Sequence, residues 1–402
     1  MADFHQTELI STLHRLKTDN IVKLEDDLRL LSKQRPLALV LPCLYEELKR
    51  DAIKTILKEL KDADYIKEIV ISLSRANREE FEHARSFFNA LPQKATIIWH
   101  EAEWVDDLFK LLKKNGLSIS KSGKGMAIWI AHGYVLANKK SHVVVSHDCD
   151  IISYTRELLV RLCYPIVNPN LDYEFSKGYY TRITNRMYGR AMRIFFTPLI
   201  RTMKKIIGGH PFLEYLDSFR YALSGEFAMI TDLARINRIP SDWGLEIGIL
   251  SEVYRNVSTR RICQVDLCDN YEHKHQVVSK DDPNVGLFRM SIDISKMLFR
   301  TLANEGILLS KELFNTLIVV YLKVAQDAIK RYSDDAFINN IYYDRHEEEL
   351  AAEVFTEGIK LAADAFRKDS LGSSLIPNWN RVTSAIPNFL DRLKMAVDRD
   401  NE

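Results

Sequence analysis

The stretch Ser141–Ile152 reads SHVVVSHDCDII, and we expect the rest of this chain to be organised around it. Its β-branched run Val143–Val145 predicts a short strand buried in a parallel sheet. Asp148 and Asp150 follow where that strand stops, and alternation along extended backbone points both carboxylates to one side. Such oxygen ligands suit a hard divalent cation that also takes water and a substrate's phosphates. The alternative is two solvated carboxylates at a strand end, and Cys149 between them is expected to point into the core.

Three earlier apolar runs predict further strands of the same sheet. They occupy residues 36–44, 68–73 and 95–100, and helical patterns cover 45–60 and 78–90 between them. Strands that alternate with helices are typical of a doubly wound α/β sheet. Such sheets bind ligands at the carboxyl ends of their strands, which is where the two aspartates are expected to lie.

A lysine between two glycines precedes the opening stretch. Gly123, Lys124 and Gly125 come directly before an apolar helical pattern. Flexible backbone at a helix start favours a phosphate ligand, with the lysine as a point charge. The spacing differs from that of P-loop ATPases, and a plain surface turn is the alternative.

The regular alternation of predicted strands and helices ends after the two aspartates. Residues 175–183 and 261–269 predict two more strands. Residues 185–207 form a basic amphipathic stretch, which suits either an anionic ligand or a solvated helix face. Residues 223–230 and 242–254 each place a glycine near a glutamate that is expected to open an amphipathic helix.

Two histidines follow the last predicted strand. His273 and His275 lie two residues apart, so on extended backbone they share a face. Either imidazole could supply a nitrogen ligand to a cation, and two solvated side chains in a polar loop are the alternative.

Composition narrows the classes of partner. The 402 residues carry 56 basic and 55 acidic side chains, so no field of one sign points to a nucleic acid or a membrane surface. No apolar run approaches the roughly 20 residues of a membrane span, and charged residues near the start argue against a signal peptide. Five scattered cysteines form no paired framework. We therefore expect reduced thiols and a cytoplasmic protein.

Together these landmarks resemble the GT-A glycosyltransferases, most closely the glucosyl-3-phosphoglycerate synthases and more distantly the mannosyl-3-phosphoglycerate synthases. The resemblance runs from about residue 37 to 276 and depends on the order of its motifs. These are Pro42–Glu47, Gly123–Gly125, His147–Asp150, Gly189–Arg190, Leu223–Glu226, Trp243–Gly248 and Gln264–Leu267, which leads to His273.

The resemblance implies roles for particular residues. It implies a Mg²⁺, Mn²⁺ or Co²⁺ ion held by Asp150 and His273, with Asp148 holding the ribose or completing the metal shell. His275 competes with His273, because the loop is one residue longer than the family pattern. Catalytic roles fall to Glu246, Asp150 and Lys124. The implied donor-binding residues are Pro42, Leu44, Glu46, Ser74, Lys124, Asp148 and Glu226.

For the acceptor, the resemblance implies a phosphoglycerate site at Gly189, Arg190 and Met192. A guanidinium binds phosphate or carboxylate through paired hydrogen bonds. Met192 stands where the family has a small polar residue. The second strand ends without the family's acidic residue, and Ser72 or Ser74 is expected to substitute for it.

The implied organisation has four parts. Residues 1–35 form an N-terminal helical extension, 36–152 a Rossmann-like nucleotide-sugar-binding domain with a mostly parallel sheet, 153–280 the acceptor-binding part of that GT-A domain, and 281–402 a helical C-terminal region. Ser310 and Asp344 are expected to cap helices in the last part. The helical character of this C-terminal region suggests a homodimer.

The implied reaction retains the configuration of glucose as it passes from a nucleoside-diphosphate sugar to the 2-hydroxyl of 3-phosphoglycerate. The sequence does not decide which nucleoside base the donor carries, nor whether the transferred sugar is glucose or mannose. A nucleotidyltransferase and a non-catalytic nucleotide-sugar-binding protein are the alternatives from other classes.

Overall fold

The computed structural model describes residues 6, 9–117, 119–120, 122–273, 282–372 and 375–402. Within these ranges a single mixed sheet has the order β1-β8-β6-β7-β5-β2-β3-β4. Strand β7 runs antiparallel to both of its neighbours, and all other adjacent strands are parallel. The mostly parallel α/β sheet is therefore confirmed. The strands are β1 (Ser11–Leu13), β2 (Leu37–Leu44), β3 (Ile66–Ser74), β4 (Ala95–Trp99), β5 (Val143–Ser146), β6 (Phe175–Tyr179), β7 (Phe227–Ile230) and β8 (Ile262–Asp266).

Helices cover both faces of the sheet. The first group is α1 (Ile21–Leu31), α2 (Asp51–Leu60), α3 (Arg78–Phe88), α4 (Glu103–Lys114), α5 (Lys124–Asn138), α6 (Arg156–Val167), α7 (Thr197–Ile207), α8 (Pro211–Ser218), α9 (Thr231–Ile236) and α10 (Leu245–Asn256). A π-helical segment, Ala191–Phe196, leads directly into α7. The C-terminal group is α11 (Gly286–Asn304), α12 (Lys311–Ile338), α13 (Arg345–Lys368), α14 (Trp379–Ala385) and α15 (Phe389–Asp400).

Strand β5 shows why a continuous apolar run suits this sheet. Val144 packs into the core on one face, whereas Val143 and Val145 pack into the core on the other. All three side chains are fully buried, because helices cover both faces. Its central place between β7 and β2 fixes where Asp148 and Asp150 emerge.

One edge of the sheet gathers the polar segments. The carboxyl ends of β2, β5, β6 and β8 lie together, because these strands run in the same direction. The amino end of the reversed strand β7 meets them there. Residues that follow β5 and β8, or that precede β7, are therefore neighbours in space although they are distant in sequence.

The prediction of an N-terminal helical extension is wrong for residues 11–13. Ser11–Leu13 is an edge strand that pairs in parallel with β8, and Ile21–Leu31 is the helix. The helical spacing of Leu9, Leu13 and Leu16 is overridden by backbone pairing at the sheet edge, and Leu16 is 65% exposed.

The helix expected over residues 223–230 is also wrong. Phe227–Ile230 is strand β7, placed between β5 and β6. Phe227 and Met229 pack into one core and Ala228 into the other, which is the alternation of a strand. The second expected helix, over 242–254, is confirmed as α10.

The C-terminal helices pack onto the rest of the chain and onto one another. Helix α12 contacts α7 and α13, and α13 contacts α11. The predicted caps are confirmed: the Ser310 side chain accepts a hydrogen bond from the Leu313 backbone N–H at 3.2 Å, and that of Asp344 accepts one from Glu347 N–H at 3.0 Å. Among the described residues, no helix is both long and apolar enough to cross a bilayer.

Candidate active site

Lys124 enters the site from the first turn of α5. Gly123 precedes it at φ +110°, and a Cβ there would lie 1.9 Å from the Ser241 carbonyl oxygen, so the close approach requires glycine. The Lys124 Nζ lies 2.6 Å from Asp148 Oδ1 and 3.4 Å from Glu246 Oε1. The glycine-flanked lysine therefore starts a helix at the sheet edge, as its sequence predicted.

The Lys124–Asp148 pair sets the charge of the site. Burial opposes the Lys124 charge, but the carboxylates of Asp148 and Glu246 outweigh it and raise the lysine pKa. Burial also opposes the charge on Asp148, but the attraction of the Lys124 ammonium outweighs the effect of burial and lowers the pKa of that carboxyl. Both side chains keep about a quarter of their surface exposed, at 28% and 27%, so the ion pair is open to a ligand.

Asp150 lies close to His273. The Asp150 Oδ2 and His273 Nδ1 atoms are 3.8 Å apart, although 123 residues separate them in sequence. A bridge between Ile151 and His273 and a hydrogen bond from Ile152 N–H to the Glu272 carbonyl, 2.7 Å, hold the two segments together. The structure thus brings these two predicted metal ligands together.

A carboxylate oxygen and an imidazole nitrogen at this separation fit one Mg²⁺ or Mn²⁺ ion. No group of three or more His, Cys, Asp or Glu side chains placed for a metal occurs among the described residues. Two protein ligands are nevertheless sufficient where a substrate's phosphates and water complete an octahedral shell. His275 lies outside the described residues.

Glu246 lies in the first turn of α10 and faces the lysine. Its side chain is 12% exposed and its Oε1 is 3.4 Å from Lys124 Nζ. Asp242 accepts a hydrogen bond from Gly244 N–H at 2.9 Å, which shapes the turn before the helix. Trp243 in that turn is 41% exposed. Glu246 and Asp148 therefore both face the Lys124 ammonium.

The predicted donor-binding residues at the ends of β2 and β3 are neighbours. Leu44 pairs in register with Ser74, and Pro42 pairs with Ser72. Leu44 is 38% exposed, and the Glu46 carboxylate forms an ion pair with Lys49 at 2.6 Å in the turn that follows. Ser72, in contrast, is fully buried and donates to the Ala127 carbonyl at 2.8 Å, so Ser74 is the serine open to a ligand.

The predicted acceptor residues begin the π-helical segment. Gly189 has φ +77°, a conformation that favours glycine. The Arg190 guanidinium already meets two carboxylates of α13, Glu348 at 2.7 Å and Glu347 at 2.7 Å. Met192 is buried. An anionic acceptor at Arg190 would therefore compete with Glu347, whose side chain is 53% exposed.

Glu226 lies beneath the site and is fully buried. Its Oε1 accepts from the Tyr271 hydroxyl at 2.5 Å and its Oε2 from the Tyr180 hydroxyl at 2.8 Å. Burial and the charge of Asp148 raise the pKa of this carboxyl. Neither tyrosine was singled out from the sequence.

Lys177 in the middle of β6 was also missed. Its side chain is 1% exposed, and its Nζ donates to the Ser224 carbonyl at 2.5 Å. Burial lowers the pKa of Lys177 to about 8, against the opposing charges of Glu246 and Glu226. The signal in the sequence was a lysine inside a predicted strand, where a charged side chain must be exposed or paired.

Comparison with known proteins places this geometry in context. No family model matches the chain. It is 46% identical over 401 residues to the glucosyl-3-phosphoglycerate synthase of Persephonella marina, covering 100% of the chain and 99% of that protein. It is 37% identical over 405 residues to the enzyme of the same name from Methanococcoides burtonii, covering 99% and 98%.

Solved structures share the fold. A glucosyl-3-phosphoglycerate synthase of Mycobacterium tuberculosis, in complex with Mn²⁺, UDP-glucose and phosphoglyceric acid, gives a TM-score of 0.53 at 19% identity over 76% of this chain and 90% of that one. The mannosyl-3-phosphoglycerate synthase of Rubrobacter xylanophilus gives 0.54 at 22% identity over 71% and 80%. At these identities the likeness establishes the GT-A fold.

The buried ammonium of Lys177 predicts a pH-dependent difference in stability between wild type and Lys177→Met. Unfolding returns the lysine to its ordinary pKa of about 10.4. Between about 8 and that value the unfolded chain binds more protons, so raising the pH stabilises the wild type. Urea unfolding from pH 7.5 to 10 should show the wild type gaining stability relative to Lys177→Met.

The matched control is Lys58→Met, at an exposed lysine of α2. Its unfolding free energy should follow the pH profile of the wild type. If Lys177→Met also followed that profile, the ammonium of Lys177 would not be under strain from burial.

Proposed function

The chain belongs to the glucosyl-3-phosphoglycerate synthase family, and we propose that it is a retaining glycosyltransferase. It moves glucose from a nucleoside-diphosphate glucose to the 2-hydroxyl of 3-phosphoglycerate. The observation that carries the proposal is the convergence of Lys124, Asp148, Asp150 and His273 on one sheet edge. Both full-length relatives bear the name of this activity.

The donor's diphosphate is proposed to lie across the lysine and the Asp150–His273 pair. A Mg²⁺ ion, or Mn²⁺ or Co²⁺, held by Asp150 and His273 beside Asp148 would stabilise the negative charge that develops on the leaving diphosphate. Lys124 donates to the same diphosphate, because Asp148 and Glu246 keep its ammonium charged at the opening. Pro42, Leu44, Glu46 and Ser74 support the base and ribose.

Glu246 is proposed to orient the sugar through its hydroxyls. The acceptor's 2-hydroxyl then attacks the anomeric carbon from the face that the diphosphate leaves. The bond from that carbon to the diphosphate breaks as the new C–O bond forms, and the hydroxyl proton passes to the diphosphate. The configuration is thereby retained without a covalent intermediate on Glu246.

The acceptor is proposed to bind at Gly189, Arg190 and Met192. Arg190 holds the carboxylate or phosphate of phosphoglycerate through charge-assisted hydrogen bonds. Glu348 is almost fully buried and fixes the guanidinium, whereas the exposed Glu347 can move aside. The guanidinium can thus keep its ion pair with Glu348 while it exchanges the ion pair with Glu347 for the acceptor.

Three further proposals concern the whole molecule. The division at residues 35, 152 and 280 is proposed with its first part changed to a strand followed by a helix. All five cysteines are unpaired thiols, which supports a cytoplasmic location. Homodimer formation is supported by exposed apolar side chains at the end of α12, where Phe337 is 90% and Ile338 83% exposed.

The test of the function incubates the protein with Mg²⁺, 3-phosphoglycerate and the UDP, GDP and ADP forms of glucose and mannose. We expect nucleoside diphosphate and glucosyl-3-phosphoglycerate in equal amounts. Asp150→Asn should lower turnover about 100-fold or more while thermal unfolding stays native-like, because losing a metal ligand removes several kcal/mol of charge stabilisation.

Other products would decide against the proposal. Transfer from the mannose donors alone would identify a mannosyl-3-phosphoglycerate synthase. Pyrophosphate release from a nucleoside triphosphate would identify a nucleotidyltransferase. Nucleotide-sugar binding without any product would leave a non-catalytic binding protein.

Arg190 and Glu347 should affect the acceptor in opposite directions. Arg190→Ala should raise the KM for 3-phosphoglycerate about tenfold or more, the usual cost of a lost hydrogen bond to a charged group. Glu347→Gln should lower that KM, since it removes the competing charge. Steady-state kinetics should leave the donor KM unchanged in both variants.

The exposed Glu353 on the same helix provides the control. Glu353→Gln should leave both KM values as in the wild type. Equal effects of Arg190→Ala on donor and acceptor would remove Arg190 from the acceptor site.

The dimer is tested by sedimentation equilibrium. We expect twice the chain mass of 46.6 kDa for the wild type. Phe337→Glu should shift the protein toward the monomer, because a charge would enter the apolar contact. Met395→Glu, at a residue 69% exposed on α15, is the control. A monomeric wild type would refute the proposal.

A further inference from the structure

Both oxygens of the Glu226 carboxylate accept tyrosine hydroxyls, and the side chain has no exposed surface that a ligand could reach. Each carboxylate oxygen accepts one tyrosine hydroxyl, from Tyr271 at 2.5 Å and from Tyr180 at 2.8 Å. A carboxylate without solvent exposure needs such donors, since burial of a charge without hydrogen bonds is costly. The donor-binding role predicted for Glu226 therefore does not fit its surroundings.

The two tyrosines form one rigid unit with the sheet. Their rings stack with centroids 3.7 Å apart and an interplanar angle of 4°. The Tyr271 backbone N–H also donates to the carbonyl of Thr181, two residues after strand β6, at 2.8 Å. Tyr271 is thus held at its backbone, its ring and its hydroxyl.

Tyr271 lies two residues before His273, and this short segment is held from both sides. On the side of the aspartates, Glu272 N–H donates to Ser153 Oγ at 2.9 Å, and His273 forms a bridge with Ile151. On the side of the sheet, the backbone, ring and hydroxyl contacts of Tyr271 hold the segment in place. The 3.8 Å separation of Asp150 and His273 depends on both.

The backbone before Glu226 also supports the aspartate. A Cβ on Gly225 would lie 2.6 Å from Asp148 Oδ2 and 2.9 Å from Lys124 Nζ. The peptide that carries Glu226 therefore forms the floor under the Lys124–Asp148 pair. Its neighbour Ser224 is fastened to β6, because its hydroxyl donates to the Gly178 carbonyl at 2.7 Å.

We propose that Glu226, acting through the Tyr271 hydroxyl, is a positioning residue that holds His273 in place for the divalent cation. Glu226 sets the affinity for that ion and does not touch the sugar nucleotide. This inference rests on the proposed function for the identity of the cation site. The carboxylate of Glu226 selects the one position of the 271–273 segment from which the imidazole reaches the ion held by Asp150.

The test is Tyr271→Phe, which removes one hydroxyl and keeps the stacked ring. Mn²⁺ binding is measured by electron paramagnetic resonance, with the ion alone and with UDP. We expect about tenfold weaker binding, as for other outer-shell partners of metal ligands. Raising the Mn²⁺ concentration should restore turnover, and the KM for 3-phosphoglycerate should stay unchanged.

Tyr180→Phe is the matched control. It removes the other hydroxyl from the same carboxylate and the same ring stack, but Tyr180 does not lie on the segment of His273. Its Mn²⁺ affinity should fall far less. If Tyr271→Phe does not fold, Glu226→Gln is used, which keeps the shape and removes the charge.

Two outcomes would overturn the inference. These are an unchanged Mn²⁺ affinity in Tyr271→Phe, whether or not its thermal stability falls, and equal losses of affinity in Tyr271→Phe and Tyr180→Phe. Failure of the proposed function is distinguishable: the wild type would then bind Mn²⁺ without transferring glucose, and the affinity comparison would still decide the positioning role.

Discussion

The ion pair between the Lys124 ammonium and the Asp148 carboxylate, 2.6 Å apart, is the constraint around which the site is built. Each charge would be costly at the sheet edge without the other, since burial opposes both. Their contact requires three segments to converge: the start of α5, the end of β5 and the glycine before β7. Gly225 in particular must lack a side chain, because a Cβ would displace both charged groups.

Two further ionisable side chains, Lys177 and Glu226, lie near this ion pair. Lys177 and Glu226 are buried below the pair, and each forms hydrogen bonds with protein groups. Since a buried charge without partners destabilises a protein, these groups restrict how β6, β7 and the segment after β8 can be arranged. The geometry that a phosphate-bearing ligand meets is thus fixed before the ligand arrives.

The sequence was sufficient for six of the eight strands and for the helix start at Lys124, and insufficient where tertiary contacts decide. The valine run of β5 and the glycines around Lys124 carry local signals that match their final structure. Strands β1 and β7 are only three and four residues long, so pairing with neighbours overrides their local pattern. The role of Tyr271 could not be predicted from the sequence, because it depends on the carboxylate of Glu226, 45 residues away in the chain.

Strand β8 has a consequence for the order in which the nascent chain matures. It pairs with β1 in a register that joins Cys263 to Ser11, and His273 follows shortly after it. During synthesis, β2 to β5 and the aspartates leave the ribosome well before that imidazole does. An unfinished chain therefore lacks His273, and the contact between Asp150 and His273 can form only after β8 has been synthesised.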